Sequence, residues 1–424
     1  MVPRWLFALT LLYFVKEWCV SRVARPSVPV ERQSEGAREG VVVHRYHPVT
    51  QTLSGKPTDV TFHYVEAGDR WRECVVFLHG FMDTWRLWRQ QLASFAADYH
   101  LLAFDLKGTG QSSMPYPHGL FPEMHEPGGD YTLTMQAEEI VTALEQLGVR
   151  RFTLVTLDLG TIIGDILAGH YTERIQRYLR CQQPLVGHFR ASIPQGRLLR
   201  SPRGARCLTA MLEAAPGALL RVLYGRTGWP ALDRTMKRTK HPMPEALLAE
   251  AVREASYAFQ HGPRTGRPGA FVCAWAGLYQ HNRDYMRYLL DNLHAYRRYT
   301  FPVHLVQGVH DIAMPPTRFD GSTGMAFKTV HPARWGRVSA ASTVVLSRPF
   351  FTDGRGIGDG YVPWVGLLPD CTRPLHTREF FPHASSVELT FVDAGHFVPL
   401  EAPETFNELL RAFLGLSSGP AVSF

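Results

Sequence analysis

One acidic residue lies where a predicted buried strand turns into a predicted helix. Residues 156–160 read Thr-Leu-Asp-Leu-Gly, which places Asp158 between the small residues Thr156 and Gly160. This is the pattern of a nucleophile elbow, a sharp turn that exposes its central side chain beside the N–H groups of a helix start. A carboxylate needs no base to attack, because its ordinary pKa is about 3.9. The pattern predicts that Asp158 attacks an electrophilic carbon and forms an ester.

Such an ester must be hydrolysed by water, and water needs a base. His396, after the strand predicted at 387–392, is the candidate base, and Asp311, after the strand predicted at 303–308, is the candidate that orients and charge-stabilises it. Taken singly, Asp158 has an equally good explanation as a helix N-cap, and Asp311 as a turn residue. All of them follow predicted buried strands in one chain, which favours the catalytic interpretation.

A sheet must bring these distant loops together. The residues predicted to form strands are 41–44, 60–64, 74–78, 99–104, 152–157, 303–308 and 387–392. Apolar residues at helical spacing predict helices at 85–95, 132–147, 161–171 and 403–413, with Thr134 as a candidate cap of the second. Strands that alternate with helices indicate a mostly parallel sheet, and ligands of such sheets bind beyond the carboxyl ends of the strands.

Strand patterns disappear in the middle of the chain, where helical patterns dominate, so we predict a helical cap. We divide the chain into an N-terminal targeting or anchor segment with its linker (1–40), the first part of the core (41–185), the cap (186–300), a core strand with the acid loop (301–317), an inserted loop (318–377) and the end of the core (378–424).

The inserted loop is predicted from an unusual spacing. Asp311 and His396 lie 85 positions apart, more than one helix and one strand require. Thr-Arg occurs at 317–318 and again at 377–378, and removal of residues 318–377 restores the ordinary spacing. The stretch is rich in Gly, Ser, Pro and Arg, so we expect a disordered insertion, with an unspliced gene segment as one origin. A lid over the cap is the functional alternative.

The N-terminus carries Arg4 and then an apolar run over residues 5–15. This pattern predicts a secretory signal or a short membrane anchor, and therefore a location in the secretory pathway or at a membrane. The alternative is an amphipathic helix packed on the domain, which would leave the protein cytoplasmic.

The composition excludes several classes of protein. The chain has 424 residues and a formal net charge of +7, with 45% hydrophobic and 20% charged residues, which excludes a disordered or collagen-like chain. The basic residues are not clustered, which argues against a nucleic-acid partner. None of the six cysteines forms a C-x-x-C pair, so the sequence supports neither a zinc site nor a disulfide scaffold.

The motifs together resemble the α/β-hydrolase fold family, and within it the epoxide-hydrolase-like branch. The resemblance covers residues 41–414 apart from the insert, and its motifs are His-Gly-Phe at 79–81, Asp-Leu-Lys-Gly-Thr-Gly-Gln-Ser at 105–112, the elbow around Asp158, Gly-Val-His-Asp at 308–311 and Ala-Gly-His at 394–396, followed by Pro-Leu-Glu-Ala-Pro at 399–403. It implies an α/β sheet flanked by helices with an inserted helical cap.

The resemblance also implies roles. Asp158 is the nucleophile, His396 the base and Asp311 its partner, while the backbone N–H groups of Phe81 and Leu159 form the oxyanion hole. Tyr279 is the first choice for the cap tyrosine that protonates the epoxide oxygen, and a further choice lies between Tyr224 and Tyr257. The substrate is a small apolar electrophile that reacts with water, and no metal or organic cofactor is implied.

The sequence departs from the family where it flanks the nucleophile. Leu157 and Leu159 replace a His and a Trp, and Met82 replaces the expected Pro. Loss of the Trp removes an indole that can stabilise a leaving halide, which argues against haloalkane dehalogenases. The alternatives are a ligand-binding member of the fold without catalysis, and a dehalogenase or another hydrolase of the same fold. A serine esterase is disfavoured because no Ser occupies the elbow.

Overall fold

The computed structural model describes residues 33–80, 83–113, 131–182, 295–308, 311, 341–345, 361–362, 375–376 and 380–416. The predictions for residues 1–32, for most of the cap, and for Phe81, Tyr224, Tyr257 and Tyr279 lie outside these ranges. They stay predictions.

Ten strands of the described chain form one sheet in the order β1-β2-β3-β5-β4-β6-β7-β8-β12-β9. Their bounds are β1 Arg38–Glu39, β2 Val42–Leu53, β3 Lys56–Ala67, β4 Cys74–Leu78, β5 His100–Phe104, β6 Phe152–Leu157, β7 Ile175–Cys181, β8 Val303–Gly308, β9 Ala341–Val345 and β12 Val387–Val392. A separate antiparallel pair joins β10 Tyr361–Val362 to β11 Leu375–His376.

The centre of the sheet is parallel, as the alternation of strands and helices predicts. Strands β5, β4, β6, β7, β8 and β12 run parallel to one another. The hairpin β2–β3 and the edge strands β1 and β9 are antiparallel. All residues of β4, β5, β6 and β8 are buried, which is why they read as continuous apolar runs.

Helices cover both faces of this sheet. Their bounds are α1 Arg89–Phe95, preceded by a 3-10 turn at Trp85–Trp88, α2 Leu133–Gln146, α3 Leu159–His170, followed by a 3-10 turn at Thr172–Arg174, α4 Val398–Glu401 and α5 Pro403–Leu414. One apolar core forms between the sheet and α2 with α3, and a second between the sheet and α1 with α5. Alternate residues of β4 enter the two cores, since successive strand side chains point to opposite faces.

Two details differ from the sequence prediction. Strand β7 was not predicted, because its charged residues interrupt the apolar pattern. Arg180 in this strand is nevertheless fully buried, since its guanidinium binds Asp165 of α3 at 2.7 Å. The prediction of Thr134 as a cap is wrong: Thr132 is the N-cap of α2 and accepts a hydrogen bond from the N–H of Met135.

Three short strands fall within the predicted insertion. Strand β9 pairs with β12 in the antiparallel direction, and β10 pairs with β11. The rest of residues 318–377 lies outside the described ranges. The insertion and its boundaries stay a prediction.

Candidate active site

Three loops at one edge of the sheet carry the predicted site residues. Asp158 directly follows β6, Asp311 lies three residues beyond β8, and His396 lies four residues beyond β12. These strands belong to the parallel centre of the sheet, so their carboxyl ends meet at one edge. The sheet therefore brings together residues that are far apart in the chain.

Asp158 has the strained backbone of an elbow. Its φ of 52° and ψ of −116° place it in a region that residues other than glycine rarely adopt. Its side chain makes no capping hydrogen bond to α3, so the N-cap explanation does not account for it. The turn is held instead by the backbone, since the carbonyl of Asp158 accepts from the N–H groups of Thr161 and Ile162.

Glycines on both sides of the elbow allow close packing. A Cβ on Gly160 would lie 2.3 Å from the carbonyl oxygen of His79, and a Cβ on Gly80 would lie 2.8 Å from the Cβ of Asp158. Either contact is shorter than real Cβ atoms tolerate. The elbow pattern requires a small residue at position 160 because the start of α3 packs directly against the backbone at the end of β4.

His396 lies between the two carboxylates. Its Nδ1 is 2.8 Å from Oδ2 of Asp311, and its Nε2 is 3.6 Å from Oδ2 of Asp158. The side chain of Asp311 is completely buried, whereas that of Asp158 retains 14% of its exposure. The imidazole can therefore be steadied by Asp311 on one side while its other nitrogen faces Asp158 at the more open side.

The electrostatics of the site favour a protonated imidazole. Burial alone would lower the pKa of His396, but the carboxylates of Asp311, Asp158 and Glu401 outweigh burial and raise that pKa to about 9. The neighbouring carboxylates therefore favour the positively charged, doubly protonated form of the ring at neutral pH.

Two buried carboxyl groups near His396 have no predicted role. Burial raises the pKa of Glu401 to about 7 and that of Asp83 to about 7, and the field of His396 opposes both shifts. The field of Asp158 also acts on Asp83. In the sequence, Glu401 stands in the Pro-Leu-Glu-Ala-Pro motif, and Asp83 stands two residues after Phe81. Neither position in the sequence indicates that the carboxyl group is buried beside the base.

One amide ties the loops of acid and base together. Gln182 follows β7, and its Nε2 donates to the carbonyl of Gly395 at 3.0 Å. Its Oε1 accepts from the N–H of Gly308 at 3.2 Å. Because Gly308 begins the acid loop and Gly395 precedes the base, this bridge fixes the separation of the two loops.

Leu159 is the first residue of α3, and helix starts leave N–H groups without partners inside the helix. Its backbone N–H is one of these groups and directly follows Asp158; its role as an oxyanion-hole donor stays a prediction. Phe81 and Tyr279 lie outside the described residues, so their predicted roles are not tested.

The described residues contain no group of three or more His, Cys, Asp or Glu side chains arranged to hold a metal ion. In the same ranges, no helix has the length and apolar character needed to cross a membrane.

Comparison with known proteins assigns the fold. Residues 73–180 match the family model described as alpha/beta hydrolase fold. The chain has the α/β-hydrolase fold. In sequence, the chain is 33% identical over 124 residues to epoxide hydrolase 4 of Mus musculus, a match that covers 29% of this chain and 32% of that protein. It is 32% identical over 128 residues to bifunctional epoxide hydrolase 2 of Sus scrofa, or 30% of this chain and 21% of that protein. The matched region thus spans about a third or less of these relatives.

Solved structures of the family agree in fold. The Cif epoxide hydrolase from Acinetobacter nosocomialis superposes with a TM-score of 0.54 at 16% identity, covering 96% of both chains. The ligand-free epoxide hydrolase CorEH gives a TM-score of 0.52 at 19% identity, covering 88% of this chain and 99% of that one. At such identities the likeness shows the α/β-hydrolase fold alone.

Proposed function

We propose that this protein hydrolyses an epoxide of a small apolar molecule to a diol, through an ester on Asp158. The observation that carries the proposal is the position of His396, with Nδ1 held by Asp311 at 2.8 Å and Nε2 facing Asp158 at 3.6 Å. The similarity of the matched region to proteins named epoxide hydrolases supports this substrate class.

In the first step, a carboxylate oxygen of Asp158 attacks an epoxide carbon and the carbon–oxygen bond of the ring breaks. The departing oxygen takes a proton, for which Tyr279 is the proposed donor. Ionised aspartate is a competent nucleophile without a base, so the proton on His396 does not hinder this step. The product is an ester between Asp158 and the substrate.

In the second step, His396 removes a proton from water, and the water oxygen attacks the ester carbonyl of Asp158. The N–H groups of Leu159 and Phe81 stabilise the resulting oxyanion, each by about 3 kcal/mol on the scale of other oxyanion holes. When this intermediate collapses, the ester carbon–oxygen bond breaks and the departing alkoxide takes the remaining proton of the attacking water, which releases the diol and regenerates the carboxylate, while Tyr279 regains its proton from solvent. The proposal needs no metal or organic cofactor.

Charge loss on Asp158 connects the two steps. The negative carboxylate helps to raise the pKa of His396 to about 9. Ester formation removes that charge, so the pKa of the imidazole falls and its proton can leave to solvent. The ring thus becomes a base only after the nucleophile has reacted, which keeps the water from being activated before an ester exists.

The test begins with epoxides, haloalkanes and esters as substrates of the purified protein. A single turnover in H₂¹⁸O should leave the first diol free of ¹⁸O and place the label in Asp158, because water attacks the ester carbonyl. Direct attack of water on the epoxide would instead label the first diol, and this result would refute the ester.

Two variants locate the chemistry. Asp158→Asn should abolish diol formation, while His396→Gln should trap the ester as added substrate mass on the peptide that carries Asp158. The matched control is Asp59→Asn, since Asp59 is an exposed aspartate of β3. Full turnover by Asp158→Asn would exclude the proposed nucleophile.

Two other functions are separated by the same assays. The apolar residues Leu157 and Leu159 in place of His and Trp favour a ligand-binding protein without catalysis, which predicts saturable binding of an epoxide with no diol. A dehalogenase would release halide from haloalkanes.

A further inference from the structure

Glu401 reaches back from the end of α4 to the loop that carries His396. Its Oε2 accepts a hydrogen bond from the N–H of Gly395 at 2.8 Å, and its Oε1 accepts from the N–H of Phe397 at 2.9 Å. These two N–H groups flank His396 on either side in the chain. One carboxylate therefore binds the backbone N–H groups of the residues immediately before and after His396.

A role in helix capping explains only half of this arrangement. Phe397 is the N-cap residue of α4, and an acidic residue in the first turn that reaches back to the N-cap N–H is a familiar stabiliser of helix starts. The bond to Gly395 is not part of such a cap, because Gly395 lies two residues before it. Nor would a cap require burial, yet Glu401 is only 5% exposed.

We propose that Glu401 is a positioning residue for His396, one that fixes the direction of the imidazole through the two N–H groups beside it and adds a negative charge behind it. This inference rests on the proposed function. The opposite side of the base loop is held by Gln182, which donates to the carbonyl of Gly395. The loop is thus fixed through N–H groups by Glu401 and through a carbonyl by Gln182, while Asp311 fixes the ring itself.

The charged groups around the imidazole give the expected direction of the electrostatic effect. Asp311, Asp158 and Glu401 all raise the pKa of His396, and Asp83 is the other buried carboxyl group whose field interacts with it. Glu401 in turn is influenced by Asp311 and His396. Neutralising Glu401 removes one of the negative charges and must therefore lower the pKa of His396.

The test compares Glu401→Gln with wild type. Glutamine keeps one oxygen acceptor but presents an NH₂ group to the second N–H, so the loop loses one bond and the charge together. We expect kcat for diol formation to fall about 100-fold, as for displacements of about 1 Å at a reacting centre, with KM within about twofold. The titration midpoint of His396, followed by NMR of the ring nitrogens, should move to lower pH.

The control is Glu404→Gln, an exposed glutamate in the first turn of α5, which should change neither kcat nor the titration. A second measurement needs no variant: in wild type, the amide signals of Gly395 and Phe397 should show a transition that follows the ionisation of Glu401, whose pKa burial raises to about 7, in addition to the transition that follows His396. This arm remains informative if Glu401→Gln does not fold.

The outcomes separate the two proposals. If wild type turns over no epoxide but the His396 midpoint still moves in Glu401→Gln, the proposed function fails and the positioning role stands. If the midpoint stays at its wild-type pH, or the two amides show no transition besides that of His396, the positioning role is overturned whatever the activity.

Discussion

The described part of the chain contains two buried histidine–aspartate pairs, and they differ in what the second nitrogen of the ring does. In one pair, Nδ1 of His63 lies 2.6 Å from Asp105 and Nε2 lies 2.9 Å from His44. In the other pair, Nδ1 of His396 lies 2.8 Å from Asp311, and Nε2 stands 3.6 Å from Asp158, beyond hydrogen-bond distance.

The carboxylate of the first pair, Asp105, also has structural partners besides its histidine. Asp105 also accepts the backbone N–H groups of Trp85 and Gln111, and although burial alone would raise its pKa, His63 holds that pKa below the ordinary value. This pair joins β3 to the loops after β4 and β5. A histidine–aspartate pair is therefore not in itself a sign of catalysis, and the proposed site differs from the other pair in that its second ring nitrogen faces a strained, partly exposed carboxylate.

The largest effect should come from breaking the pair at the site. Asp311→Asn removes the charge that orients and stabilises the imidazole, and comparable changes in other enzymes reduce kcat about 10⁴-fold. We expect a loss of this order in diol formation, with a folded protein by circular dichroism. A loss below about tenfold would mean that Asp311 is no more important to the chemistry than Asp105.

The matching change in the other pair should affect stability instead. Asp105→Asn leaves His63 and two backbone N–H groups facing an amide, and breaking a buried charged pair costs roughly 3–5 kcal/mol. Denaturant unfolding should register this loss, while kcat per folded molecule stays at the wild-type value. A selective loss of kcat would show that the two pairs are coupled.

Asp83 interacts electrostatically with Asp105 of one pair and with Asp158 beside the other, so a pH experiment on Asp83 tests both regions. Burial raises the pKa of Asp83 from 3.8 to about 7. Since the folded pKa lies above the unfolded one, ionisation of this group destabilises the fold as pH rises from about 4 to 7. Asp83→Asn should therefore gain stability relative to wild type between pH 5 and pH 8, by about 3 kcal/mol at 1.4 kcal/mol per pKa unit.

The free energy of unfolding of both proteins should be measured across that range, because other groups change the wild-type curve in both directions. Only the difference between the two curves isolates Asp83. A difference that is constant with pH would mean that Asp83 is ionised throughout.

The smallest effect should come from the outer histidine of the structural pair. His44 stacks on His63 with ring centroids 5.2 Å apart and meets Trp85 edge-on at 5.6 Å. His44→Asn keeps a polar atom near the position of Nδ1 but loses this packing, at a cost of roughly 1 kcal/mol. Thermal unfolding should record the loss, and a reduction in kcat would contradict the assignment of this pair to structure.

The elbow could be predicted from sequence because its requirements are local. Small residues at 156 and 160, an apolar strand before and a helix after are all visible in neighbouring residues. The grouping of Asp158 with Asp311 and His396 needed only the rule that parallel strands end at one edge. The acid and the base are 85 positions apart, but each follows its own strand.

What escaped prediction depends on burial that no neighbouring residue signals. Arg180 made β7 look unlike a strand, because Asp165, which neutralises it, lies on another element. Glu401 and Asp83 look like surface acids in the sequence. Their environment is set by the packing of three loops, which periodicity and spacing do not encode.

The Gln182 bridge has a consequence for how the protein is made. It joins Gly308 to Gly395, and α5 docks back on α1 through Asn407, which accepts from Gln91 at 2.9 Å. Contacts over such separations form slowly. On the ribosome, the parts of the sheet made first must wait, with the edge of β8 uncovered, until β12 has been synthesised. The proposed active site is thus assembled in a late step, and a nascent chain stalled before β12 would expose this strand edge.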